Sequence, residues 1–320
     1  MNYFMTGMID YNLAAPEAAA IARQEVFTNL KADSQLLTVI YNRFLRLNAF
    51  RAGLKPEQYV NMFDFFQGSA SYNGPISTLA DVAFPNLVTP VRQGNIVYYY
   101  QGADRIAEVH LFEPDSDFPF AQDQLSTVSF YDRLNNINRT DMYDVRGFKS
   151  RSDFYGRVRG QHLETYYNLK GEPVLEITYQ KNAADQNEIT RLMLTYQQTQ
   201  HVFDNLAQLQ GFFYDQLQQA DTRFFVDRAF EVSSGLEAAS LTAPVYLVDH
   251  DTQRDPASSG LSDAIQAVVH LAKFQGVITA TLDQHNFWQQ QPVTTIDMSV
   301  AANQPGAVPA VIAGWQNILK

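Results

Sequence analysis

Asn2-Tyr3-Phe4-Met5-Thr6, Pro16-Glu17-Ala18-Ala19-Ala20-Ile21-Ala22-Arg23 and Leu36-Leu37-Thr38-Val39-Ile40-Tyr41 follow one another at the head of the chain, and their order decides the fold class. The first is a short apolar run closed by Gly7. The second sets proline at a helix start ahead of strong helix formers. The third reads as a buried, β-rich strand about 30 residues after the first, the spacing of a βαβ unit. A second helix is expected over 43–51. Pro56-Glu57-Gln58-Tyr59-Val60 is expected to open another short helix by the same proline logic.

From residue 72 the period changes from helical to strand-like. Ile96-Val97-Tyr98-Tyr99-Tyr100, Arg105-Ile106-Ala107-Glu108-Val109-His110-Leu111, Val128-Ser129-Phe130-Tyr131, Met142-Tyr143-Asp144-Val145, Leu163-Glu164-Thr165-Tyr166-Tyr167 and Val174-Leu175-Glu176-Ile177-Thr178-Tyr179 are β-branched and aromatic. Turn formers separate them, among them Gln101-Gly102-Ala103-Asp104, Asn135-Asn136 and Lys170-Gly171. Tyr131 and Tyr143 recur as Tyr167 and Tyr179 at one offset, which predicts an antiparallel meander. After His201 the α/β rhythm returns. A helical stripe runs over 202–219, strands are expected at 224–227, 245–249, 277–281 and 293–296, and a helix at 261–274. The expected organisation is an α/β domain in two segments, 1–71 and 201–300, interrupted by an antiparallel insert at 72–200. The segment 301–320, with Pro305, Gly306 and Pro309, is expected to be an extended arm anchored by Trp315.

Composition removes several functions. The 320 residues carry 23 basic and 34 acidic side chains, a net −11, which argues against a cation-driven nucleic-acid binder. Cysteine is absent, so disulfides, thiolate metal sites and thiol nucleophiles are excluded. The first residues lack the basic and long apolar regions of a signal peptide, and no apolar run approaches a membrane span, so a cytoplasmic protein is expected.

Asn61-Met62-Phe63-Asp64-Phe65-Phe66-Gln67-Gly68, Ala107-Glu108-Val109-His110-Leu111, Tyr143-Asp144-Val145-Arg146-Gly147-Phe148-Lys149-Ser150 and Phe225-Val226-Asp227-Arg228 resemble the amino-terminal half of bacterial retaining glycosyltransferases that decorate wall teichoic acid or serine-rich surface adhesins. The resemblance runs over nearly the whole chain in the same order. It implies a first Rossmann-like domain carrying an inserted β-sheet domain, half of a two-domain glycosyltransferase architecture. In such enzymes the nucleotide-sugar is held mainly by a second domain, through an arginine and lysine and a pair of glutamates seven residues apart. No such pair follows Val293, so that donor site is expected to be absent and no cofactor is expected. The implied function is a non-catalytic or co-catalytic subunit that stabilises a full-length glycosyltransferase and binds acceptor, a surface protein or a teichoic acid. The alternative is a fragment, or half of a split enzyme, transferring glucose or N-acetylglucosamine from a nucleotide-sugar to poly(glycerol phosphate).

Candidate residues follow from position and charge. His250, in Val248-Asp249-His250-Asp251, falls at the carboxyl end of an expected strand, where open α/β sheets place ligands. The resemblance makes Asp249 and His250 remnants of an acceptor cleft; the plain alternative is a solvated loop histidine. Gly7 and Glu17 match the family's first loop and helix start, where amides can hold an anion or a sugar hydroxyl. The family's glutamate-histidine pair is Glu17-Ala18 here, and an ordinary acidic first turn accounts for Glu17 equally. Arg146, Lys149, Arg151, Arg157 and Arg159 form the one basic cluster, a contact for a polyanion or an acidic partner, or else the solvated face of a sheet. The six histidines show no metal-ligand spacing, so no metal site is expected. Ser233-Ser234-Gly235 reads as a loop cap without a hydrolase elbow. The tyrosine-rich insert is expected to form an oligomer interface, since outward tyrosines bring rigid apolar area with a polar tip.

Overall fold

The computed structural model describes residues 1–84, 87–156, 160–250, 261–298 and 307–319. It divides into two compact units, one comprising Met1–Ile40, Glu57–Met62 and Leu206–Lys320, the other Tyr41–Pro56 and Phe63–Asn205. The chain opens with β1 (Asn2–Met5), α1 (Ala15–Asn29) and β2 (Ser34–Thr38), the βαβ unit read from the sequence. β1 and β2 run parallel with Phe4 beside Leu36. α1 begins with Pro16 and Glu17 in its first turn and buries Ala20, Gln24 and Phe27 at helical spacing. The Phe27 ring meets Phe4 edge-on at 5.0 Å. α2 (Leu45–Arg51) forms where a helix is expected. The next proline opens only a three-residue 3₁₀ turn, Pro56–Gln58, before β3 (Tyr59–Asn61), which pairs in parallel with β2. The β-prone Tyr59-Val60 pair thus completes the sheet where a helix was expected. α3 (Met62–Gln67) follows at once.

The second unit is the meander. Ten strands lie in sequence order in one antiparallel sheet: β4 (Thr89–Gln93), β5 (Ile96–Gln101), β6 (Asp104–Leu111), β7 (Leu125–Tyr131), β8 (Ile137–Tyr143), β9 (Lys149–Tyr155), β10 (His162–Tyr167), β11 (Pro173–Lys181), β12 (Asn187–Tyr196) and β13 (Thr199–Phe203). One turn design recurs in it. The side chains of Asp132, Asn168 and Asn182 each accept from the backbone N–H two and four residues on. Three residues after each stands a positive φ, at Asn135, Gly171 and Asp185. The side-chain oxygen substitutes for backbone partners while the αL residue closes a hairpin of matching twist. Val97, Val109, Leu111, Leu125 and Val128 form a core on one face, covered by Leu79, Val82 and Phe84. Tyr99 joins it by stacking on Phe84 at 4.0 Å, so part of the tyrosine content is core.

The first unit then resumes with α4 (Leu206–Leu217), β14 (Arg223–Val226), α5 (Ala229–Ala238), β15 (Val245–Val248), α6 (Asp263–Val269), β16 (Phe274–Thr279), α7 (Leu282–Trp288), β17 (Thr295–Asp297) and α8 (Ala307–Leu319). Its seven strands are all parallel, in the order β3-β2-β1-β14-β15-β16-β17. The winding direction reverses between β1 and β14, which makes their carboxyl ends a topological switch point. Ser233-Ser234-Gly235 lies inside α5, not in a loop. A Cβ on Gly235 would stand 2.6 Å from the Cβ of Gln210 in α4, so the residue serves close helix packing. The expected extended arm is corrected too. It is helical over Ala307–Leu319, with Pro309 in the first turn, where a missing N–H is harmless. Trp315 does anchor it, edge-on to Phe27 at 5.2 Å and to Phe225 at 5.7 Å. Among the described residues no helix is long and apolar enough to cross a membrane.

Candidate functional site

The switch point holds a cavity of about 190 Å³ built from the loop after β1, the first turn of α1, the end of β2 and the start of α5. Met8 and Ile40 give it apolar wall; Asp10, Glu17, Arg228 and Glu231 give it charge. Gly7 admits that charge, because a Cβ there would lie 2.6 Å from Cγ of Glu231. The Gly7 carbonyl accepts from Val39 and Ile40, which ties the loop to the end of β2.

The Glu17 side chain is engaged within the protein. Arg228 grips it with Nε and Nη2 at 2.8 and 3.1 Å, the forked geometry that makes guanidinium–carboxylate pairs strong. The bond to Glu17 holds the Arg228 guanidinium's pKa above its usual value. Burial pushes the Glu231 carboxyl up, against the opposing pull of Arg228 at 4.0 Å.

Beside the cavity, the wholly buried Asp227 directly follows β14. Its Oδ1 contacts Arg23 of α1 and, at 3.0 Å, Nε2 of His250. His250 therefore stands at the carboxyl end of β15 as expected, but held and only 15% exposed rather than solvated. Asp249 turns inward: its N–H donates to Ile278 and its carbonyl accepts from Gln284 of α7. Asp251 lies outside the described residues. Arg23, Asp227 and Arg228 were not singled out by sequence reasoning. The signal was present in Phe225-Val226-Asp227-Arg228, two charges directly after an apolar strand.

No family model matches the sequence, and no curated protein matches it. Solved structures do. The pneumococcal O-GlcNAc transferase GtfA, in complex with UDP and GlcNAc, matches 91% of this chain at TM-score 0.68 and 16% identity. TarM of S. aureus, in complex with fondaparinux, α-GlcNAc-glycerol and UDP, matches 92% at 0.68 and 13%. The Glycosylation Associate Protein complex of Streptococcus agalactiae matches 93% at 0.63 and 14%. This chain has their fold. It spans 57%, 61% and 60% of the length of those chains respectively. The Rossmann-like unit with an inserted antiparallel sheet is thus the fold that this chain shares with those structures.

Within that fold the described members of the basic cluster, Arg146, Lys149 and Arg151, are engaged by neighbours of their own. Arg146 is only 5% exposed and bonds Asp144 through Nε at 2.6 Å and Asp64 through Nη2 at 2.7 Å. It is not the expected polyanion contact, because two buried carboxylates have drawn it inward. The two anions hold its pKa far above the usual arginine value against the cost of burial. Asp144 itself is pushed up by burial, which outweighs Arg146. Lys149 lies over the Tyr167 ring at 4.3 Å. Arg151 bonds Asp153 at 2.9 Å and reaches Glu164 at 3.6 Å. Arg157 and Arg159 lie outside the described residues. The structure also gathers Asp153, His162 and Glu164, with ligand-type atoms within 4.8 Å of one another, a cluster the sequence spacing does not announce. Asp153 and Glu164 face each other across β9 and β10, so only the fold brings them together. Arg151 supplies the cation between them, and the cluster reads as an ion-pair network in which His162 stacks between Tyr155 and Tyr179.

Proposed function

We propose that this chain works in glycosylation as a subunit that associates with a full-length glycosyltransferase, stabilises it and holds the acceptor, a surface protein or a teichoic acid. The observation that carries this reading is the character of the switch-point cavity. Its charged lining is three carboxylates, Asp10, Glu17 and Glu231, and one arginine that is already clamped by Glu17. A leaving diphosphate needs cationic stabilisation, which a lining of this sign does not offer. A neutral, hydroxyl-rich acceptor finds carboxylate acceptors and an apolar wall there. The likeness to glycosyltransferases and to a glycosylation-associated complex supports the setting. Cytoplasmic location and association through the inserted sheet belong to the same proposal. Co-expression with a full-length glycosyltransferase encoded nearby, followed by size exclusion, tests it. Co-elution with raised transferase activity is expected; a transferase equally active and stable alone would sink the reading.

A second reading has one observation in its favour, the ordered His250 at the cavity's side. Here the chain is part of a retaining transferase that moves glucose or N-acetylglucosamine from a nucleotide-sugar to poly(glycerol phosphate). Calorimetric binding of a uridine-diphosphate sugar by this chain would favour it over the subunit role.

A further inference from the structure

Asp227 lies outside the cavity lining, yet side chains from two other elements end on a single one of its oxygens. Arg23 of α1 and Nε2 of His250 both meet Oδ1. The carboxylate is placed by its own backbone, since the N–H groups of Asp227 and Arg228 both donate to the Met5 carbonyl, at the seam between β1 and β14. A carboxylate paired with arginine can only accept hydrogen bonds. Nε2 of His250 must then carry a hydrogen, and a neutral imidazole has one hydrogen to carry. Nδ1 is left with its lone pair.

We propose that Asp227 is a positioning residue that locks His250 as the Nε2–H tautomer and so presents Nδ1 as a hydrogen-bond acceptor to a ligand hydroxyl at the carboxyl edge of the parallel sheet. Arg23 completes the device. Its guanidinium lies against the Phe4 ring at 5.2 Å and its contact with Asp227 holds the carboxylate between α1 and β15. The chemical consequence is selectivity. An acceptor nitrogen welcomes a hydroxyl and gives nothing to an acceptor-only group such as a phosphate diester oxygen. The ligand half of this inference rests on the edge being the acceptor side of a glycosylation protein; the tautomer half does not.

Long-range proton–nitrogen NMR spectra of the full chain with ¹⁵N-histidine separate the two halves. They are recorded at about pH 8.5, some two units above the ordinary imidazole pKa, with His250→Gln used to assign the ring. The wild-type ring is expected to show a single Nε2–H tautomer. Asp227→Ala should release it to the tautomer mixture of a free histidine, and Asp227→Asn, which keeps an accepting oxygen, should restore the wild-type pattern. A wild-type ring in the Nδ1–H form, or already in the free mixture, overturns the proposal even if Asp227→Ala fails to fold. Titration with N-acetylglucosamine should move the Nδ1 signal, with affinity about three- to tenfold weaker in Asp227→Ala, the loss of one hydrogen bond. A locked Nε2–H ring that no saccharide perturbs would reject the acceptor-cleft reading while leaving the positioning of His250 standing.

Discussion

Arg146 shows how a residue chosen for its charge acquires a structural role through burial. With Asp64 and Asp144 both nearly out of solvent, removing the cation strands two carboxylates. Arg146→Met should therefore destabilise the protein by about 3–5 kcal/mol, read as a lower urea midpoint. Conversion to Lys should recover only part of this, because an ammonium cannot fork between two acids. Glu231 gives a prediction of opposite sign. Burial raises its folded-state pKa above the model-compound 4.5, so folding favours the protonated form. The associated stability is present in full below pH 4.5 and is lost as pH rises through the folded pKa. Glu231→Gln should then be more stable than wild type at pH 7, and the difference should vanish on acidification to about pH 4, with urea midpoints at both values as the measurement. A gap that persists at the lower pH would assign the effect to packing against Gly7 instead.

At the scale of elements, turns carry more information than propensity does. Gly147 closes the β8–β9 hairpin at φ 99°, and a Cβ there would sit 2.7 Å from the Cα of Ile76. Gly171 closes β10–β11 at φ 78° with nothing near it. Gly171→Ala should cost about 1 kcal/mol from the left-handed backbone alone, whereas Gly147→Ala should cost at least about 2 because backbone has to move. Equal urea midpoints for the two variants would mean the Ile76 segment yields freely. The same elements show what could be read in advance. Alternation and turn formers located six of the ten meander strands, and the βαβ spacing located β1, α1 and β2. β9, Lys149-Ser150-Arg151-Ser152-Asp153-Phe154-Tyr155, escaped because its buried positions are polar, Ser152 and Asp141 satisfying each other at 2.6 Å. α5 escaped because Ser233-Ser234-Gly235 has loop composition that only packing against α4 explains. His250 was legible from its place after an apolar strand. Asp227 and Arg23 were not legible as its partners, since they are 23 and 227 residues away and joined only by parallel strand order.

Across the whole molecule, charge sets the terms of association. A net −11 repels a polyanion at long range, and Arg146, Lys149 and Arg151 do not offset it locally because each is engaged by its own neighbours. The Debye length shrinks from about 30 Å at 0.01 M salt to about 8 Å at 0.15 M, so this repulsion is screened as salt rises. Binding of poly(glycerol phosphate) should therefore strengthen over that range, the reverse of the counterion-release behaviour of a basic groove. Binding of a neutral N-acetylglucosamine oligomer should stay level, because no net charge is brought together. Fluorescence titration of both ligands at the two salt concentrations measures the pair. Polyanion affinity that falls with salt would reveal a working basic surface and make the acceptor anionic; rising or level curves keep recognition at the acidic cavity, where hydroxyls rather than phosphates are the groups that Asp10 and Glu231 can use.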